Sequence, residues 1–250
     1  MINNPFSLAD KTILITGASS GIGKATALLC AEMGARLIIT GRSVSKLNEV
    51  FQSLPGDGHL QIALDIEIEN FVEQLSVFTP QVDGIVHSAG ILDSTPFKFT
   101  GASKLSQIMK LNFESPFELT QVFAKQKKFN KGASVVFVSS LAGVGMVSMG
   151  LAAYSASKGA ISSALKVMAM ELAPQKIRVN GVCPGMVKTE MLTSHSQISE
   201  EQLLIDEKNN YPLGYGTPEQ IASSIVFLLG NGSSWITGTN LIIDGGVSIH

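Results

Sequence analysis

Short apolar runs recur along the chain at 12–16, 37–40, 60–64, 84–87, 134–138, 177–182 and 241–243. They are nearly continuous rather than alternating, the pattern of strands covered on both faces. Longer segments of helical rhythm separate them. After Gly21, the apolar positions Ile22, Ala25, Leu29 and Met33 follow an i, i+3/i+4 spacing. Residues 152–172 make a longer helix that Pro174 ends, and Thr217 followed by Pro218 and Glu219 suits an N-cap with proline at the first helical position. This alternation predicts an α/β fold: a doubly wound, parallel seven-stranded sheet with helices on both faces, joined by right-handed crossovers. No repeat, low-complexity tract or linker interrupts it, so residues 1–250 read as a single domain.

Composition narrows the class. The chain is 45% hydrophobic and only 15% charged, against roughly 25% charged in ordinary soluble domains. No run of about 18 apolar residues is available to span a bilayer, so the excess is assigned to a doubly covered sheet and to subunit contacts. The first eleven residues lack the basic and apolar regions of a signal peptide, and a cytoplasmic location is expected. Cys30 and Cys183 form no disulfide framework, and His59, His87, His195 and His250 form no ligand pair, so no metal is expected. A net charge of −2 gives no reason to bind nucleic acid or an anionic membrane.

The glycines are where chemistry enters. The first strand runs into Thr16-Gly17-Ala18-Ser19-Ser20-Gly21-Ile22-Gly23 and then into a helix. A strand's carboxyl end meeting a helix N-terminus presents unpaired N–H groups and the positive dipole end to a phosphate. Glycine lets the backbone turn tightly and approach a pyrophosphate. The second strand ends Ile39-Thr40-Gly41-Arg42-Ser43, with no carboxylate for a ribose and a guanidinium suited to a 2′-phosphate. NADP(H) is therefore preferred over NAD(H).

Together with Tyr154-Ser155-Ala156-Ser157-Lys158, this turn resembles the short-chain dehydrogenase/reductase family in its compact form of about 250 residues. The resemblance extends end to end and implies a Rossmann fold. It implies cofactor contacts at Gly17, Ser19, Ser20, Gly21, Ile22, Gly23, Arg42, Asp65, Ile66, Ala89, Gly90, Tyr154, Lys158, Val187 and Thr189. It implies a catalytic tetrad of Asn112, Ser140, Tyr154 and Lys158, a substrate lid at about 190–212, and a homotetramer or homodimer. Members that reduce 3-oxoacyl groups on acyl carrier protein share the length and the Pro212-Leu213-Gly214 segment. One position departs: where the family carries Asn-Asn-Ala-Gly, this chain has His87-Ser88-Ala89-Gly90. A changed local network is expected there.

Tyr154 and Lys158 are four apart on a helix and share a face. A nearby ammonium favours the phenolate and is expected to lower the phenol's pKa. Ser140 would hold a substrate oxygen, and is chosen over Ser139 because it adjoins Leu141-Ala142-Gly143; Asn112 would anchor a water relay toward Lys158. Residues 141–153 carry no charge, and the lid is acidic, which suggests an uncharged ketone or secondary alcohol, such as a 3-oxoacyl thioester, with sugars and polyols as alternatives. Lys125, Lys127, Lys128 and Lys131 either receive an acidic carrier protein or form a solvated helix end. Two rival readings remain: a nucleotide-binding protein without catalysis, and a serine hydrolase using Gly17-Ala18-Ser19-Ser20-Gly21 as an elbow with His195 or His250. The second leaves Tyr154 and Lys158 unexplained.

Overall fold

The strands form one parallel sheet: β1 (Thr12–Thr16), β2 (Arg36–Gly41), β3 (Leu60–Ala63), β4 (Val82–His87), β5 (Phe129–Val138), β6 (Arg178–Pro184) and β7 (Asn240–Ile243), in the order β3-β2-β1-β4-β5-β6-β7. The computed structural model describes residues 4–195 and 199–249. The chain winds outward from β1 to β3, then returns to place β4 against the other side of β1. The carboxyl ends of β1 and β4 therefore flank the switch point, where crossovers leave in opposite directions and open a crevice.

Successive strand residues explain the unbroken apolar runs. Ile13, Ile15, Leu37, Ile39, Val86 and Val136 enter one core layer. Leu14, Ile38, Ile85, Val135 and Phe137 enter the other. Adjacent side chains alternate between faces, so a strand covered on both sides must be apolar throughout. The first layer packs beneath α1 (Gly21–Glu32), α2 (Val44–Ser53) and α9 (Pro218–Leu229). The second packs beneath α3 (Phe71–Phe78), α5 (Ser115–Lys125) and α6 (Ala152–Leu172). Further helices are α4 (Ala102–Met109), α7 (Glu190–His195) and α8 (Glu200–Asn210).

The expected strand positions hold, with edges displaced by one or two residues at β2, β3, β4, β6 and β7. The larger difference is at β5, which begins at Phe129 rather than Ser134. Gly132 has φ 88° and the β4–β5 register shifts between Val82 and Gly84, so the strand enters through an irregular, polar segment with no apolar run. Thr217 caps α9 as expected: its side chain accepts from Gln220 N while Gln220 Oε1 accepts from Thr217 N at 2.8 Å.

The far end of α9 is closed by a half-buried cation. Arg178 Nη1 donates to Leu228 O at 2.7 Å and to Ser233 Oγ at 2.8 Å, and Nη2 donates to Gly230 O at 3.3 Å. A guanidinium here satisfies carbonyls that the helix leaves open and complements its negative end. Arg178→Ala is expected to cost about 2 kcal/mol, read as a lower denaturant midpoint with an unchanged slope.

Candidate active site

A cleft of about 610 Å³ opens along the carboxyl ends of the strands, a size in the range of small-molecule sites. Gly17, Ser19, Ser20, Gly21, Ile22, Arg42, Asp65, Ile66, Ala89, Gly90, Ser140, Tyr154, Lys158, Val187 and Thr189 all line it. Among the residues expected from sequence, Gly23 and Asn112 do not.

Their roles lie one layer back. A Cβ on Gly23 would stand 2.2 Å from Gly17 O, so Gly23 lets the first turn of α1 fold against the loop that precedes it. A Cβ on Gly17, at φ 67°, would stand 2.7 Å from the Ala89 backbone, so the β1 and β4 loops touch there. Ser20, the N-cap of α1, makes no side-chain cap hydrogen bond, and the first turn carries no acid. Those N–H groups and the positive helix end face the cleft, which suits a pyrophosphate. Arg42 is exposed at the opposite rim.

Asn112 is 1% exposed and holds the β4 loop. Its Oδ1 accepts from Ile91 N at 2.8 Å, and its Nδ2 donates to Ile91 O and Ser157 Oγ, both at 3.0 Å. The side chain is thus spent on positioning. It sits in a π turn, Lys110–Glu114, closed by Ser115 N donating to Lys110 O. Pro116, four residues beyond Asn112, has no N–H to offer the Asn112 carbonyl. That proline is a signal in the sequence that strand-and-helix rhythm does not register.

Lys158 is 6% exposed, and its amine donates to Val138 O at 2.8 Å. Burial lowers its pKa from 10.5 to about 8. Its Nζ lies 5.7 Å from the centre of the Tyr154 ring. The expected lowering of the phenol by that ammonium is not what this geometry produces. Burial instead raises the Tyr154 pKa, and a hydrogen bond with the Ser140 side chain opposes it. Ser140 is half-buried and also accepts from Ala142 N at 3.2 Å. Its neighbour Ser139 is turned inward, donating to Lys158 O at 3.1 Å and sharing a hydrogen bond with Ser162 Oγ at 2.9 Å. Gly143 has a role the sequence reading did not assign: a Cβ there would lie 2.5 Å from the Lys158 backbone, so the loop after β5 can pack directly on α6.

The departure at His87-Ser88 is absorbed locally. The His87 ring is 3% exposed and stacks on Phe137 with centroids 4.6 Å apart. Its Nε2 lies 2.8 Å from Thr120 Oγ1, which itself donates to Pro116 O at 2.9 Å. His87 therefore donates through Nε2, and its buried Nδ1 has no partner. Burial pushes its pKa down to about 3, so the ring is neutral at ordinary pH. Thr16 ties the loops together: Oγ1 accepts from Ala89 N at 3.3 Å and donates to Val86 O at 3.5 Å.

The lysine cluster is placed away from this chemistry. Lys128 turns its amine inward, donating to Thr79 O at 2.6 Å and to Ser76 O. Lys125 ends α5 and Phe129 begins β5, so the cluster lies at the amino edge of the sheet, opposite the cleft. Among the described residues no group of three or more His, Cys, Asp or Glu could hold a metal ion, and no helix is long and apolar enough to cross a membrane. His250 lies outside the described residues, as does part of the expected lid, residues 196–198.

The cleft gathers a glycine turn at an open helix N-terminus with a serine, a tyrosine and a lysine across the switch point, and the relatives of this chain are oxidoreductases acting on CH–OH and C=O groups. The chain belongs to the short-chain dehydrogenase/reductase family: the family model described as enoyl-(acyl carrier protein) reductase matches residues 17–248. The chain is 34% identical to a 3-oxoacyl-(acyl-carrier-protein) reductase of Thermotoga maritima, over 97% of this chain and 99% of that protein. It is 33% identical to an NAD-dependent glycerol dehydrogenase of Listeria innocua, over 98% of this chain and 96% of that protein. Among solved structures it resembles a 7α-hydroxysteroid dehydrogenase complexed with NADH and 7-oxo glycochenodeoxycholic acid, with TM-score 0.90, 30% identity and 98% of each chain covered.

Proposed function

We propose that this chain is an NADP(H)-dependent carbonyl reductase or secondary-alcohol dehydrogenase in which Tyr154 carries the proton. The observation that supports this most directly is the meeting of Ser140, Tyr154 and Lys158 in one cleft, with Gly90 close against Lys158 and Asn112. When bound, the nicotinamide supplies or accepts the hydride. The Tyr154 hydroxyl gives its proton to the substrate oxygen in reduction and takes it back in oxidation. Ser140 orients that oxygen and the phenol. Lys158 supplies positive charge behind the tyrosine, and Asn112 positions the chain after Gly90 through Ile91. The turn residues Gly17, Ser19, Ser20, Gly21 and Ile22 would hold the pyrophosphate, and Gly23 shapes the turn beneath them. Asp65 and Ile66 would hold the adenine, Ala89 and Gly90 would lie beside the cofactor, and Val187 and Thr189 would hold its nicotinamide end; all six line the cleft. Residues 1–250 act as one NAD(P)-binding domain with a lid at about 190–212.

The preference for the phosphorylated nucleotide rests on Arg42, which lines the cleft and has no ion pair with another described residue. Losing a charged hydrogen bond to phosphate costs about 1.5–3 kcal/mol, roughly 10- to 100-fold in affinity. Arg42→Ala is expected to weaken NADPH binding by that factor and NADH binding far less, measured by nucleotide fluorescence titration. Equal losses for both nucleotides exclude a 2′-phosphate role.

The carbonyl substrate is uncharged. A 3-oxoacyl thioester is the reading that the Thermotoga relative supports, and a polyol is the one that the Listeria relative supports. Nicotinamide oxidation measured against acetoacetyl thioesters, diketones, quinones and keto-sugars separates them. No turnover of any carbonyl, with nucleotide still bound, favours the non-catalytic reading. Exposed Trp235, Met170, Val167 and Ile242 support a homotetramer or homodimer through α6 and β7, which light scattering measures. A cytoplasmic location accompanies this reading.

A further inference from the structure

We infer that the substrate is a free ketone or secondary alcohol with a bulky hydrocarbon body, and that this body lies on an apolar rim centred on Met149. The inference rests on the oxidoreductase reading above and narrows its substrate. Sheet order divides the cleft. Arg42 and Asp65 belong to the β2 and β3 side, while Ser140 and Tyr154 belong to the β5 and β6 side. Around the reacting pair the wall is Leu92, Met149, Leu151, Met186, Met191 and Leu192.

Charged side chains are sparse in this half, and its acid is already paired, with Lys46 Nζ 2.6 Å from Glu190 Oε2. Among the lining residues its cation is Lys158, whose amine is directed to Val138 O, and its acid is Glu190. A carboxylate or phosphate on the substrate meets no guanidinium fork. The lid that follows adds exposed Glu200 and Glu201 at the start of α8. The 125–131 lysine cluster that could receive an acidic carrier protein stands at the opposite edge of the sheet from the reacting pair.

The rim itself is unusual. Met149 is 98% exposed and Val147 is 92% exposed, although Met149 lines the cleft with Ser140 and Tyr154. Their loop is held at both ends. Gly143 N and Met146 N donate to Ser140 O and Leu141 O at 2.9 and 3.1 Å. Gly150, at φ 83°, packs so closely that a Cβ would stand 2.6 Å from Ser94 O. The apolar side chains are thus presented by an anchored backbone beside the reacting centre. Exposed apolar surface continuous with a cleft marks a binding surface, and thioethers adapt to irregular hydrocarbon shapes. The occupant is the part of the substrate beyond its carbonyl.

The test compares kcat/KM for NADPH-driven reduction of trans-1-decalone, dihydroxyacetone and acetoacetyl-CoA, with the wild type and Met149→Ser. Decalone is expected to exceed dihydroxyacetone by about 100-fold. Met149→Ser is expected to lower the decalone value about tenfold and to leave the thermal midpoint unchanged, because the side chain is almost wholly exposed. Calorimetric titration of decalone into the nucleotide-loaded protein is expected to give a negative heat-capacity change, smaller in the variant. Preference for dihydroxyacetone or acetoacetyl-CoA overturns the inference, as does a decalone preference that Met149→Ser leaves untouched. Turnover of no ketone with either nucleotide removes the oxidoreductase reading itself.

Discussion

Tyr154→Phe is expected to lower kcat by about 10²- to 10⁴-fold while NADPH binding stays within about twofold. The substitution deletes one oxygen and keeps the ring, which is half-buried on α6, so the cofactor surface changes little. What disappears is the proton carrier. Burial holds the phenol's pKa above its ordinary 10.0, against the opposing Ser140 hydrogen bond. At neutral pH the group is therefore a protonated donor, the form that ketone reduction needs. Oxidation needs the base, so the alcohol-oxidising rate should climb with pH while the reducing rate falls at high pH. Steady-state rates in both directions, carried from neutral pH to beyond the phenol's ordinary pKa of about 10, check this. Full turnover by Tyr154→Phe places the proton on another group.

Lys158→Met should move activity and stability in opposite directions. The folded pKa is about 8 against 10.5 for an unperturbed lysine. Between those values the unfolded chain holds more proton than the folded one, so this residue's contribution to stability rises with pH across that window. Below pH 8 the fold carries a buried ammonium at full cost. The shift corresponds to about 3 kcal/mol, and losing the hydrogen bond to Val138 O returns about 1 kcal/mol. Lys158→Met is expected to stabilise the protein without added nucleotide by about 2 kcal/mol at pH 7, and by much less at pH 10.5. Its turnover should fall at least about 100-fold. Denaturant unfolding at the two pH values measures the first effect. A variant less stable than the wild type at pH 7 shows that the amine's hydrogen bond outweighs its burial. A functional group kept at the expense of stability is a recurrent trade at active sites.

The outcome at individual residues shows why some roles were legible and others were not. Gly17, Gly21, Tyr154 and Lys158 stand at short, regular spacings, and local geometry carries such spacings directly into the cleft. Asn112 and Gly143 have partners 21 and 15 residues away, at Ile91 and Lys158, and nothing in their own neighbourhoods marks those contacts. The lysine cluster was ambiguous for the same reason. Its members lie close together in the chain, but only the crossing of the sheet puts them at the edge opposite the cleft. The phenol's pKa direction likewise depended on how deeply the ring and the amine were enclosed, which residue identity leaves open.

The sequence by itself determined the doubly covered parallel sheet, because a strand apolar at every position has no face to give to water. It also determined the phosphate turn and the pairing of Tyr154 with Lys158, because these depend on glycine conformations and helical spacing within a few residues. Only the tertiary structure decided that the Ser139 hydroxyl turns to Lys158 O and Ser162, that Thr16 and the His87–Thr120 pair tie down the end of β4, and that Met149 stands exposed at the rim. Those outcomes depend on long-range packing and on the dielectric it creates around each group. Interactions of that kind are set by the whole chain and leave no local period to read.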